Sequence, residues 1–171
     1  MRLLPPVLFL ALAAIFVIGL ARENPNALPS ALKGQIAPVL ETTQLGDYPL
    51  IMDADLRKPG VKLVNFWASW CAPCRAEHPN LAKLRDLGIP IYGVNYKDEP
   101  VKAIKFLTDL GNPYAAVGQD YKGRQAIDWG VYGVPETFII DSTGKILLRF
   151  PGPITQRAMA TTILPVIEAA N

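Results

Sequence analysis

Residues 61–75 read VKLVNFWASWCAPCR, and this stretch decides how the rest of the chain is understood. Val61 to Ala68 is a β-branched and aromatic run with little alternation, the pattern of a strand covered on both faces. Both cysteines of the protein, Cys71 and Cys74, follow it two residues apart. Arg75 to Leu87 then shows apolar residues at helical spacing. A cysteine between a strand and a helix sits where unpaired backbone N–H groups and the positive end of the helix dipole favour the thiolate. The expectation is a dithiol redox site. A bridge from 71 to 74 closes so small a loop that it removes little unfolded-state entropy, which argues against a structural staple.

The chain has 171 residues, 50% of them hydrophobic, and a net charge of +2. That is enough for one domain with a full core. No run of Lys and Arg interleaved with aromatics suggests nucleic acid. Leu3 to Ala21 carries no charged residue and nearly spans a hydrocarbon core as a helix. With Arg2 in front of it, residues 1–21 are expected to be an uncleaved signal anchor with the remainder exported. A cleaved signal peptide ending near Gly19-Leu20-Ala21 is the competing reading. Residues 22–34 are polar and aperiodic, a tether, and 35–171 is the expected domain.

Within that domain, Val39 to Asp55 suggests a small hairpin or edge strands. Ile89 to Asn95 reads as a second buried strand, and Pro100 to Leu110 as an amphipathic helix stopped by Gly111. A short strand at Tyr114–Val117 and a short helix at Gly123–Trp129 follow. Gly133 to Asp141 reads as a loop running into an apolar strand, which turns at Ser142-Thr143-Gly144 into an antiparallel partner, Lys145 to Phe150. Ile154 to Ala170 closes the chain as a helix interrupted by Pro165. Strand and helix in alternation imply an α/β fold with a parallel pair.

The run VNFWASWCAPCRAEHP resembles the active-site segment of the thioredoxin superfamily, and YGVPETFIID resembles its opposed proline loop. With VNYKD and the N-terminal apolar run, the similarity is to membrane-tethered thiol–disulfide interchange proteins of cytochrome c maturation, the CcmG/DsbE type. The resemblance implies a thioredoxin-like fold, a central mixed sheet flanked by helices. An added N-terminal hairpin, a central strand–helix insert and a preceding transmembrane helix are implied with it. It also implies a cis peptide bond at Pro135, facing the dithiol.

On this reading Cys71 is the exposed nucleophile and Cys74 the more buried resolving thiol. Ala72-Pro73 between them favours a reducing couple, nearer thioredoxin at about −270 mV than DsbA at about −120 mV. Asn65 stands where thioredoxins typically carry an Asp, and it cannot titrate; it is either a satisfied buried amide or a sign that proton handling has moved. Glu77, three residues after Cys74, and Glu136, directly after Pro135, are the candidates to take that role. Trp67 reads as core and Trp70 as the rim of a substrate site, where Val134 and Pro135 pair with an extended peptide. His78 reads as an ordinary helix residue, and Asp120, Asp128 and Asp141 as turn or capping residues.

The resemblance makes the substrate the Cys-x-x-Cys-His disulfide of apocytochrome c, or a mixed disulfide with another maturation protein. It places the domain on the periplasmic face of a bacterial inner membrane, with electrons from a membrane donor of the DsbD/CcdA kind. No organic cofactor or metal is called for, the redox centre being the Cys71–Cys74 pair. The alternatives are a general periplasmic reductase of another pathway and a copper-delivery module using the same two sulfurs.

Overall fold

The computed structural model describes residues 7–9, 11–14, 16 and 32–170. The chain divides into two units, Met1–Ser30 and Ala31–Asn171. In the first, the described residues are helical. The expected anchor and tether fall largely outside the described residues, among which no helix is long and apolar enough to cross a membrane.

The second unit is built on a five-stranded sheet in the order β3-β2-β1-β4-β5. These strands are β1 Lys62–Trp67, β2 Ile91–Tyr96, β3 Ala116–Asp120, β4 Glu136–Ile140 and β5 Ile146–Pro151. The first three are parallel, and β4 and β5 are antiparallel additions. α1 Asp53–Leu56 precedes β1, and α2 Ala72–Asp86, α3 Pro100–Leu110 and α4 Arg124–Asp128 run between the strands. β3 and α4 lie between α3 and β4, and β3 extends the sheet beyond β2.

Every residue of β1 is buried, as its unalternating sequence requires of a strand covered on both faces. Its side chains still divide by the period of two. Leu63 and Trp67 enter a core shared with Leu81 and Leu84 of α2, Phe106 of α3 and Ile163 near the C-terminus. Val64 and Phe66 enter a second core with Leu56, Ala126, Trp129 and Phe138. Asn65 therefore faces α2. Gly93 of β2 lets this face close: a Cβ there would meet the Tyr114 ring at 2.8 Å and Trp67 Nε1 at 3.0 Å. Lys62 is buried too, and its ammonium donates to the carbonyls of Leu56, Lys58 and Asp141 at 3.3, 2.5 and 3.1 Å. Those three acceptors compensate the burial of its charge.

Two expectations change. Val39 to Asp55, expected as a hairpin or edge strands, contains no paired strands of its own. Thr43 instead makes an isolated bridge with Gln119 of the edge strand β3, as Ile36 just before the segment does with Lys145. The segment's backbone groups thus find partners at distant positions, which serves the same need as a hairpin. The closing helix is interrupted as expected, but it begins at Gln156 rather than Ile154 and the break falls just before Pro165. It comprises α5 Gln156–Ala158, a π-helical turn at Met159–Ile163 and α6 Leu164–Glu168. Pro165 has no N–H to give and crowds the carbonyl four residues earlier, and the wider turn just before it relieves that crowding.

Candidate active site

Cys71 is the N-cap of α2, and its sulfur accepts the Cys74 N–H at 3.1 Å. Cys71 and Cys74 are joined as a disulfide. The bridge lies at the end of β1, where the chain leaves the sheet and enters a 15-residue helix with Pro73 in its first turn. Pro is tolerated there because the first N–H groups have no intrahelical partner. Opposite the bridge, the Val134–Pro135 peptide is cis. The Val134 carbonyl oxygen stands 3.4 Å from Cys71 Sγ.

The rim is held by a turn after β2. Asp98 is buried and accepts the Ser69 N–H at 2.6 Å, the Ser69 hydroxyl at 2.7 Å, Asn95 Nδ2 at 2.9 Å and the Glu99 N–H at 2.9 Å. Beside it, Lys97 has φ +44° and its carbonyl accepts Trp70 Nε1 at 3.1 Å. The indole itself remains 58% exposed. It stands over a surface groove of about 380 Å³ lined also by Lys97, Glu99, Lys102 and Tyr121. Trp67, by contrast, is core and packs on Phe106 and Tyr114.

Glu77 lies one turn after Cys74 on α2 and is 1% exposed. Asn65 Nδ2 donates to its Oε1 at 3.0 Å, and the Ile154 N–H donates to its Oε2 at 2.8 Å. The same Asn65 amide donates to Thr137 Oγ1 at 3.0 Å, while its oxygen accepts the Tyr114 hydroxyl at 2.8 Å. Asn65 is thus a satisfied buried amide and, at once, the support of the carboxyl. Burial pushes Glu77 up to about 7, against the two donors from Ile154 and Asn65 that favour its charged form. Burial and the nearby Glu77 also hold the Tyr114 phenol well above its ordinary value. The carboxyl below the disulfide therefore changes charge near neutrality.

Glu136 is placed differently from its expected role at the dithiol. It pairs across the sheet with Phe66, and Thr137 pairs with Asn65. The alternation of β4 therefore turns Thr137 toward α2 and Glu136 toward the opposite face. There the carboxylate forms a buried ion pair with Arg149 Nε and accepts the Tyr132 N–H at 3.2 Å. His78 is buried, its Nε2 2.6 Å from the Gly111 carbonyl oxygen and its ring edge-on to Phe106. Burial holds its pKa below the ordinary value. Among the described residues, no group of three or more His, Cys, Asp and Glu side chains is placed to hold a metal ion.

Four participants were not marked by sequence alone: Tyr114, Asp98, Arg149 and the Ile154 amide. The VNYKD run was a signal for Asp98, as the residue closing a strand. The others lie in segments read only as strand or helix, with nothing in their sequence to tie them to the site.

A Cys-x-x-Cys bridge at a helix N-terminus, faced by a cis-proline on a mixed sheet, is the site of a thioredoxin-like thiol–disulfide oxidoreductase. The Redoxin family model matches residues 33–164, and this chain belongs to that family. It is 47% identical over 168 residues to the thiol:disulfide interchange protein HelX of Rhodobacter capsulatus, covering 95% of this chain and 96% of that protein. It is 42% identical over 171 residues to the thiol:disulfide interchange protein DsbE of Escherichia coli K12, covering 97% and 92%. Among solved structures, a DsbE protein from Chlorobium tepidum is 30% identical with a TM-score of 0.60, covering 78% of this chain and 99% of that one.

Proposed function

We propose that this protein is a reductant that delivers two electrons to peptide disulfides outside the cytoplasm, and that its substrate is the Cys-x-x-Cys-His disulfide of apocytochrome c. The observation that carries the reading is the Cys71 sulfur at the N-terminus of α2, opposite the Val134 carbonyl. The reduced Cys71 thiolate attacks a substrate sulfur, forming a mixed disulfide and releasing the first substrate thiolate. Glu77 takes the proton of Cys74. The Cys74 thiolate then attacks Cys71 Sγ and frees the second substrate thiol, leaving the Cys71–Cys74 disulfide. Two electrons pass to the substrate; the second thiolate released takes the proton held by Glu77, and the first takes one from solvent. Its free thiols can then meet the haem vinyl groups.

The disulfide is re-reduced by a membrane dithiol donor of the DsbD/CcdA type, with the chain held at the periplasmic face of the inner membrane by residues 1–21. Trp70, Val134 and Pro135 receive the extended substrate, and the couple works at the reducing end of the superfamily range. The naming of HelX and DsbE as thiol:disulfide interchange proteins supports the reaction class. The test is a Cys74→Ser variant, which cannot resolve the mixed disulfide. Disulfide-linked apocytochrome c recovered from cells is the expected result. Recovery of unrelated exported proteins alone would assign the protein to another reductive pathway.

A further inference from the structure

The Glu136–Arg149 pair takes no part in the thiol chemistry above, yet both side chains are almost fully buried, at 1% and 7% exposure. Removing two charges from water costs several kcal/mol per ion, and the attraction repays this only with good geometry and further hydrogen bonds. Here the further bonds converge on one short stretch of chain. Arg149 Nη2 donates to the Gly130 carbonyl at 2.7 Å, and the guanidinium lies 4.3 Å from the centroid of the Tyr132 ring. Glu136 Oε2 accepts the Tyr132 N–H. The pair therefore grips Gly130 and Tyr132 from both sides.

Beyond that grip the chain is left open. Among the described residues, the N–H groups of Gly133 and Val134 have no hydrogen-bond partner. The carbonyl of Val134 points to the reacting sulfur. A backbone amide without a partner, on the residue whose carbonyl faces the reacting sulfur, is what an incoming strand pairs with. The Tyr132 ring, 72% exposed, stands beside that edge.

We infer that Arg149 is a positioning residue: paired with Glu136 and stacked on Tyr132, it fixes the course of Gly130–Val134 so that the Val134 backbone is presented to the extended peptide flanking a substrate disulfide. Arg149 touches neither sulfur, so its effect is on recognition of peptide. This deepens the reading of the protein as a reductant of peptide disulfides and rests on it.

The test compares two substrates of the reduced protein. One is an oxidised Cys-x-x-Cys-His peptide; the other is a small aryl disulfide that has no backbone to pair. Arg149→Met removes the clamp. Arg149→Lys keeps a cation beside Glu136, and so the fold, but lacks the planar fork that reaches Gly130. For both, KM for the peptide is expected to rise about ten-fold, the loss of one hydrogen bond's worth of binding, with kcat held within about two-fold. The loss should be confined to the peptide. Equal losses on both substrates by the folded Lys variant, or no loss on either, would overturn the clamp. A wild-type protein that reduces the aryl disulfide but not the peptide would overturn the underlying reading instead.

Discussion

Asn65 Nδ2 donates to Glu77 Oε1 at 3.0 Å, so the side chain that cannot titrate holds the one that can. The two come from different elements, β1 and α2, and meet because the strand alternation turns Asn65 toward the helix carrying the cysteines. A carboxyl supported by two donors would ordinarily stay charged. Burial outweighs the donors here and brings Glu77 to about 7, where a proton can be taken and returned at little cost.

The pH dependence of stability follows from the same group. The folded carboxyl keeps its proton up to about 7, while the unfolded one releases it near 4.5. Between those values the folded state binds more protons, so this contribution is full below pH 4.5 and is lost as pH rises through 7. Its size is on the order of 3 kcal/mol. Urea denaturation of wild type and Glu77→Gln across pH 4 to 8 should show the difference between them shrinking or reversing over that window. The thiol exchange rate of the variant should lose its inflection near neutrality. Parallel profiles would rule the carboxyl out.

Asn65→Asp would place a second carboxyl against Glu77 in the same buried space. Two such groups cannot both ionise, and they titrate as a pair with one value raised. The variant is expected to approach wild-type stability at pH 5 and to lose about 2 kcal/mol or more at pH 8. Thermal melts at the two pH values measure this, and an equal loss at both would contradict it.

Asp98 accepts four hydrogen bonds, two of them from Ser69 in the loop before the cysteines. Asp98→Ala leaves buried donors without an acceptor, at a cost of about 3 kcal/mol. Asp98→Asn should recover part of it. Denaturant midpoints give the loss, and Trp70 emission should shift with it because Lys97, the neighbour of Asp98, holds the indole.

Trp70 itself is expected to matter little for folding. Its ring is more than half exposed, so Trp70→Ala should change stability by less than about 0.5 kcal/mol. Its effect should fall on KM for a peptide disulfide. A large drop in melting temperature would instead make it part of the core.

Much of this architecture was legible because its strands and helices carry strong local patterns. The run Val61–Ala68 became β1 at Lys62–Trp67, and Pro100–Leu110 formed the helix with those bounds. Apolar runs covered on both faces and Gly-terminated helices announce themselves within a dozen residues. The segment from Ile36 to Pro49 did not, since its partners lie near Gln119 and Lys145, far along the chain. Glu136 was misassigned for a different reason. Adjacency to Pro135 suggested nearness to the dithiol, whereas the alternation of β4 sends that side chain to the other face. Tyr114 was legible only as the start of a short strand, because its place against Asn65 depends on the space that Gly93 leaves open.

The extended N-terminal segment has a mechanical consequence. Gly34, Gln35 and Ala37 bond to Ile146, the first residue of β5, and to Gly144 just before it, while Thr43 and Pro49 bond to Gln119 and Val117 of β3. β5 and β3 are the two outer strands of the sheet. A single strip of chain is therefore sewn to both margins of the fold. A pull applied at residue 32 would load the β5 margin first, and the β3 margin would bear it only after those seams had opened. Unpicked as far as Pro49, the strip would bare the outer edge of β3, a template for pairing with other chains. Traction on the N-terminus and loss of solubility are thus coupled through one belt of backbone.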